Sequence, residues 1–358
     1  MAADPKPHGH HRPFDVTHRM VMALSVPIAF ASVSWPVLGI VDIAVVGAFG
    51  DPALIGGLAI GSNIFGFVFA SFYFLRTGTS GLVAQAFGQS DHGEIQILYW
   101  RAIIVALALG AVVIAGSQLI TAAGVLFMRP PPDVAEAMTA FLQIRLLSSP
   151  MTLVNFVIFG VLLGQGKAMT GLLLQFLLNG SNIAFSIWLG YVLEWQLVGV
   201  AWGTLLAEST AALVVIGVVW QSMRGLPSPT LAALLNRSAL RRMFTINRDI
   251  MIRSLLLLTA FAFFVRSGTQ LGPVILAANA ILIRCFLVNS YFFDGLTTAA
   301  EHICGRAIGA NHPPAFHRGV RLTMGWSLLL SVLLSIAGYL GGGILSALMT
   351  TAPDVRAE

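Results

Sequence analysis

The sequence predicts an all-α polytopic membrane protein, and three observations carry that prediction. Apolar residues make up 57% of the 358 and charged residues only 10%, with a mean hydropathy of +0.84. No water-soluble core has that balance. The apolar residues gather into stretches of about the 20 residues that cross a bilayer as helix. The basic residues gather into alternate connections between those stretches, the positive-inside pattern.

Nine stretches read as spanning helices: 21–49, 54–76, 102–128, 137–164, 169–193, 197–220, 251–270, 274–297 and 322–348. The first is broken by Pro27 and Pro36 and holds a single acid, Asp42. Counted inward from Phe49, Asp42 lies about 10 Å below that end. Pro36 removes a helical hydrogen bond one to two turns earlier, which permits a bend. Inserting a carboxylate there costs roughly 2.5–3.5 kcal/mol. A lone acid beside a proline-weakened turn suits a proton- or cation-coupled transporter, with a hydrogen-bonded structural Asp as the alternative.

The second span supplies Asn63, Phe67 and Tyr73, beside Trp35 of the first. Aromatic faces attract organic cations by about 0.5–2 kcal/mol each, although Phe is equally ordinary lipid-facing material. Arg145 lies inside the fourth span. In the fifth, Asn182 and, a turn earlier, Asn179 offer amide partners to an embedded acid, or interhelical glue. Glu208 at the middle of the sixth is either a proton relay or the partner of Arg145. Arg284 is mid-span in the eighth with no acid one turn away. Asp294 and Glu301 flank the cytoplasmic end of that span near His302 and Arg306, a solvated or paired gate-side position, with substrate contact as the alternative.

The connection from Gln221 to Arg248 carries Pro227, Pro229 and five arginines and divides the chain. At an offset of 221 residues, Ala59, Ile60, Phe72, Thr77, Ala86 and Gly88 fall on Ala280, Ile281, Phe293, Thr298, Ala307 and Gly309. The second span and its exit loop are thus repeated as the eighth, which implies parallel repeats about an axis along the membrane normal, with a cleft between. The seventh span, counterpart of the first, has Phe263 where Asp42 would repeat, so coupling chemistry is expected in the N-terminal half alone. The expected parts are a cytoplasmic tail, 1–20, a six-helix lobe, 21–222, a basic linker, 223–249, and an incomplete lobe of three helices, 250–358.

With the N-terminus inside, Lys6, Arg12, Arg19, Arg76, Arg101, Lys167, Arg224, Arg237, Arg241, Arg242, Arg248, Arg253, Arg306, Arg318 and Arg321 are cytoplasmic, against Arg129, Arg266 and Arg356 outside. The net charge of +5 therefore reflects loop charge and points to no nucleic acid. The cluster His8, His10 and His11 reads as part of a disordered tail, with metal binding as the lesser alternative, and Cys285 and Cys304 as membrane thiols without a disulfide framework. No Walker loop, HExxH, CxxC pair or GxSxG occurs, so no enzyme, cofactor or metal site is expected.

PIAFASVSWPVLGIVDIAVVG (27–47) and LRTGTSGLVAQAFG (75–88) resemble the multidrug and toxic compound extrusion (MATE) family, in particular its DinF-like branch. LNGSNI, LVGVAWGTLLAE, INRDIMIR, LAANAI and DGLTTAAEHICGRAIGA extend the resemblance from Pro27 to about Val355. It implies two six-helix lobes around a V-shaped cleft, about nine of an expected twelve helices being present, and export of organic compounds against protons or sodium. Asp42 matches the family's first-span coupling acid and Asn182 its fifth-span polar residue. Ser186 stands where many relatives carry an Asp, which favours protons over sodium.

The resulting expectation is a monomeric, proton-coupled antiporter of small organic, cationic or amphipathic compounds, multi-pass in the cell inner (plasma) membrane. Asp42, Asn182 and Glu208 would carry the proton and Pro36 and Pro27 the hinge. Trp35, Asn63, Phe67, Tyr73, Asn179, Ser186 and Arg284 would line the substrate cavity. The alternatives are a lipid-type flippase, favoured by Arg145 and Arg284, and a non-transporting truncated remnant.

Overall fold

A computed structural model of the chain describes residues 14–222, 229–271 and 273–349. The histidines at 8, 10 and 11, together with Arg224, Pro227 and Arg356, fall outside the described residues. All nine predicted stretches are mainly helical, with 54–76, 102–128 and 137–164 interrupted at residues 71–73, Gly116 and Ser148. The first rod is α1 (His18–Gly47), capped by the Thr17 hydroxyl, which accepts from the Met20 amide at 3.2 Å. It stays helical through both prolines. Asp51 caps α2 (Pro52–Ala70), where the proline at the first helical position has no amide to leave unpaired. The rod breaks at residues 71–73 and resumes as α3 (Phe74–Gly88). Asp91 caps α4 (His92–Ala115), which is followed by α5 (Ser117–Met128).

Next, α6 (Pro132–Leu147) and α7 (Ser149–Gly164) form one rod bent by 51° around Ser148, just ahead of Pro150. α8 (Ala168–Phe185) runs on as a π-helical segment, Ser186–Val192, and α9 (Gln196–Ser222) closes the first half. The short α10 (Leu231–Leu234) precedes α11 (Arg237–Leu271), α12 (Pro273–Gly309) and α13 (Pro313–Met349). Among the described residues, six rods are long and apolar enough to cross a membrane, and the bent α6–α7 pair makes a seventh. α11 and α12 carry Arg253, Arg266, Arg284 and Asp294 within their apolar stretches.

The offset of 221 reappears in the helix boundaries. Pro52 and Gly88 bound the α2–α3 rod, and Pro273 and Gly309 bound α12; His92 opens α4, and Pro313 opens α13. The contact between the two copies is reciprocal. A side chain at Gly88 would meet the Ala310 amide at 2.9 Å, and one at Gly309 would meet the Gln85 carbonyl carbon at 2.7 Å. Between them, a Cβ on Gly305 would come within 2.8 Å of the Cβ of Ala84, its own counterpart. Each half therefore presents the same patch to the other, as a two-fold contact requires. Gly309→Val forces two backbones apart here and is expected to destabilise the protein by about 1–3 kcal/mol, read as a lowered melting temperature in detergent.

The largest buried cluster lies inside the first half, around Leu75, Tyr99, Leu142, Leu153 and Ile158. A second cluster joins the halves at the end where the chain begins: Val21, Leu24 and Ile28 of α1 meet Leu296, Ala299 and Ile303 of α12. The stretch expected as a linker holds α10, is helical again from Arg237 onward and packs on the first half through buried Met243 and Asn247. Arg101, expected as a loop charge, is buried and fixes α10 by donating to the Ala233 and Leu234 carbonyls at 2.7 and 3.1 Å.

Candidate functional site: a single carboxylate between α1 and the α8 π-turn

The π-helical turn that begins at Ser186 is wider than an α-turn, a feature that recurs at functional sites. It is packed between α1 and α9 by glycines. A Cβ on Gly203 would touch the Ser186 amide at 2.7 Å, and one on Gly190 would meet a Val45 methyl at 2.9 Å. This close packing sets the Ser186 hydroxyl, fully buried, between two acceptors. It lies 3.3 Å from Asp42 Oδ1 and 3.3 Å from Asn182 Oδ1. A hydroxyl carries one proton and can donate to only one of them. Asn182 is itself wholly buried, and its Nδ2 has no hydrogen-bond partner among the described residues.

Asn182 thus reaches Asp42 through Ser186, while Asn179 does not reach it. Asn179 accepts from Gln175 at 2.9 Å and donates to Ser34 Oγ at 2.7 Å, tying α8 to α1 two residues before Pro36. Pro36 is exposed and Pro27 buried. Glu208 is not beside Asp42. Its Oε1 accepts from both terminal nitrogens of Arg145 at 3.2 Å, its Oε2 accepts from Thr152 at 2.6 Å, and its carbonyl accepts from Asn155 at 3.0 Å. The Phe65 ring covers the guanidinium at 4.0 Å. A buried ion pair needs this degree of satisfaction to offset its desolvation, and the pairing alternative is the one the geometry realises. Arg145 remains within electrostatic reach of Asp42.

Of the cavity candidates, Asn63 and Phe67 stand exposed on α2, and Phe67 is 59% accessible. Tyr73 sits at the α2–α3 break, accepts from Arg76 at 2.5 Å and meets Phe156 edge-on. The side chains of Trp35 and Arg284 lie outside the described residues. No cluster of three or more His, Cys, Asp or Glu poised for a metal occurs among the described residues.

Sequence reasoning missed Ser32. Its hydroxyl donates to Asp294 Oδ2 at 2.6 Å, and the same oxygen pairs with Arg76 at 3.5 Å. Asp294 was readable as a gate-side charge, but a serine one turn before Pro36 gives no signal of a partner 262 residues away. Among the described residues, the hydrogen bonds between the halves all lie from the chain-start end to about mid-helix. They include this set, His302 Nδ1 with the Gly164 carbonyl at 3.0 Å, Arg242 with Gln85, Trp326 with His18, and Arg101 with the Ala233 and Leu234 carbonyls. Toward the other end, Ile40 and Ile43 of α1 are exposed.

Comparison with known proteins agrees with this architecture. The MatE family profile matches residues 27–188 and 250–358. DNA damage-inducible protein F of Escherichia coli (strain K12) is 32% identical over 335 residues, which cover 93% of this chain and 73% of that protein. An outward-facing multidrug resistance MATE family transporter of the MOP superfamily superposes with a TM-score of 0.85 at 18% identity, covering 95% of this chain and 76% of that one. A MOP superfamily transporter from Pyrococcus furiosus gives 0.84 at 19%, with the same coverage. The chain belongs to the MatE family, as a DinF-like, multi-pass membrane transporter.

Proposed function

We propose that the protein is a secondary antiporter that exports organic, cationic or amphipathic compounds in exchange for protons, with its N-terminus on the cytoplasmic side of the cell inner membrane. The observation that carries this reading is the single hydroxyl shared by Asp42 and Asn182. With the carboxyl protonated, Asp42 donates to Ser186 and Ser186 donates to Asn182. With the carboxylate ionised, Ser186 turns its proton to Asp42, and Asn182, turned over, donates its otherwise unpartnered amide to Ser186. The chain of hydrogen bonds is complete in both states, and they differ by one proton.

Sodium would find one carboxylate, one hydroxyl and one amide oxygen here, a thin set of hard ligands for a cation that has to shed water. The joined chain-start end corresponds to a state closed to the cytoplasm, with the cleft facing outward. Protonation of Asp42 from outside then accompanies release of substrate, and α1, weakened at Pro36, is the element that changes shape. Moving one charge through the membrane potential yields about 2.3 kcal/mol per 100 mV, enough to bias such an equilibrium. The flippase alternative leaned on Arg145 and Arg284 as free cleft charges, and Arg145 is committed to Glu208.

Gradient-driven transport in liposomes tests the coupling ion. An imposed proton gradient is expected to drive ethidium movement at least about tenfold above that of empty liposomes, and a sodium gradient of equal size is expected to drive none. Sodium-driven movement without a proton response would refute the proposal.

A further inference from the structure

The cross-half contact at Asp294 is built from both copies of the same repeat positions. At the offset of 221, Ser32, Tyr73, Arg76 and Ser80 of the first half correspond to Arg253, Asp294, Thr297 and Glu301 of the second. Arg76 donates to Tyr73 and pairs with Asp294, so it bridges two symmetry-related positions. Glu301, two turns along the same face of α12 from Asp294, lies within electrostatic reach of Arg76 and Arg253. Arg76, Asp294 and Glu301 are thus gathered where α3 meets α12, with Arg253 within electrostatic reach.

This set is also the deepest of the polar contacts between the halves. Toward the chain start from it, the backbones touch: a Cβ on Gly295 would meet the Ala29 amide at 3.1 Å. Away from the chain start, Pro36 follows Ser32 by one turn, and Asp42 follows Pro36 by less than two. The Ser32–Asp294 hydrogen bond therefore fastens the weakened part of α1 directly to the second half, while Arg76 fastens α3 to the same oxygen.

We propose that Asp294 is a positioning residue that couples the shape of α1 to the closure of the cleft floor. While α1 keeps its present course, Ser32 and Arg76 both hold Asp294 and the chain-start end stays shut. A rearrangement of α1 at Pro36 withdraws Ser32, leaves the Arg76 pair alone between α3 and α12, and lets the halves part on that side. This inference rests on the antiporter reading, but its test needs neither substrate nor gradient.

The test is thiol labelling of the full chain, with Cys285 and Cys304 replaced by alanine and one reporter introduced at a time. Ser25→Cys sits in the closed joint, where Ser25 is 4% exposed, and Ala106→Cys sits in the core of the first half, where Ala106 is fully buried. Introducing Asp294→Asn or Arg76→Gln is expected to speed maleimide labelling at the Ser25→Cys reporter about tenfold, leaving the Ala106→Cys reporter unlabelled. Exchanging the charges, Arg76→Asp with Asp294→Arg, is expected to return the Ser25→Cys reporter to slow labelling. Unchanged labelling in Asp294→Asn, no recovery in the exchange, or a rise at both reporters, which reports unfolding, would each overturn the proposal. Should these outcomes appear while proton release still depends on Asp42, the coupling role of Asp294 fails and the antiporter reading stands.

Discussion

Asp42→Asn is expected to bring proton-driven efflux of an organic cation down to the level of empty liposomes, with the protein still folded. Asparagine occupies the same space, can still accept from Ser186, and removes the one carboxylate able to exchange a proton in this chain of hydrogen bonds. It also removes a charge whose placement in the membrane is costly, so the melting temperature is expected to hold or rise. Loss of transport with no loss of stability separates a coupling role from a structural one. A variant that unfolds, or that still transports on a proton gradient, would argue for a structural aspartate.

The other large effect concerns Arg145 and Glu208. Glu208→Ala strands a buried guanidinium and takes a partner from Thr152. Breaking a buried pair this way costs about 3–5 kcal/mol, which would appear as a steep fall in melting temperature and in the yield of monodisperse protein. Replacing both members, Arg145→Met with Glu208→Leu, is expected to recover most of that loss, because two desolvated charges give way to packed apolar groups. The double variant is further expected to keep Asp42-dependent proton exchange. A double variant as unstable as the single, or one that is stable but uncoupled, would return Glu208 to the proton path.

Much of the fold is legible in the sequence, for reasons particular residues make plain. The apolar stretches mark most of the rods, and the offset of 221 relates the starts of α2 and α4 to those of α12 and α13; the caps at Asp51 and Asp91 lie upstream of the stretches read at 54–76 and 102–128. The break at residues 71–73 is not legible. Its repeat counterpart in α12 runs through without interruption, so local sequence does not dictate it. The bend at Ser148 has a visible cause in Pro150.

At the site, Asp42, Arg145 and Glu208 stand out because the membrane makes charge expensive. Hydroxyls are cheap there: Ser25, Thr204 and Ser209 each donate to the carbonyl four residues back. Ser186 and Ser32 look the same in sequence. Only the π-turn, in one case, and the approach of α12, in the other, turn them toward carboxylates. Ser186 read as a lost ligand is, in the structure, the atom that joins Asp42 to Asn182.

In the proposed cycle one proton is exchanged through Asp42 when substrate binds. The most direct test of this exchange is proton release by the purified, reconstituted protein on addition of organic cations, for wild type and Asp42→Asn side by side. Release that saturates with cation is expected from wild type, and none from Asp42→Asn. Equal release from both, or binding of the cation by wild type with no proton released, would contradict it.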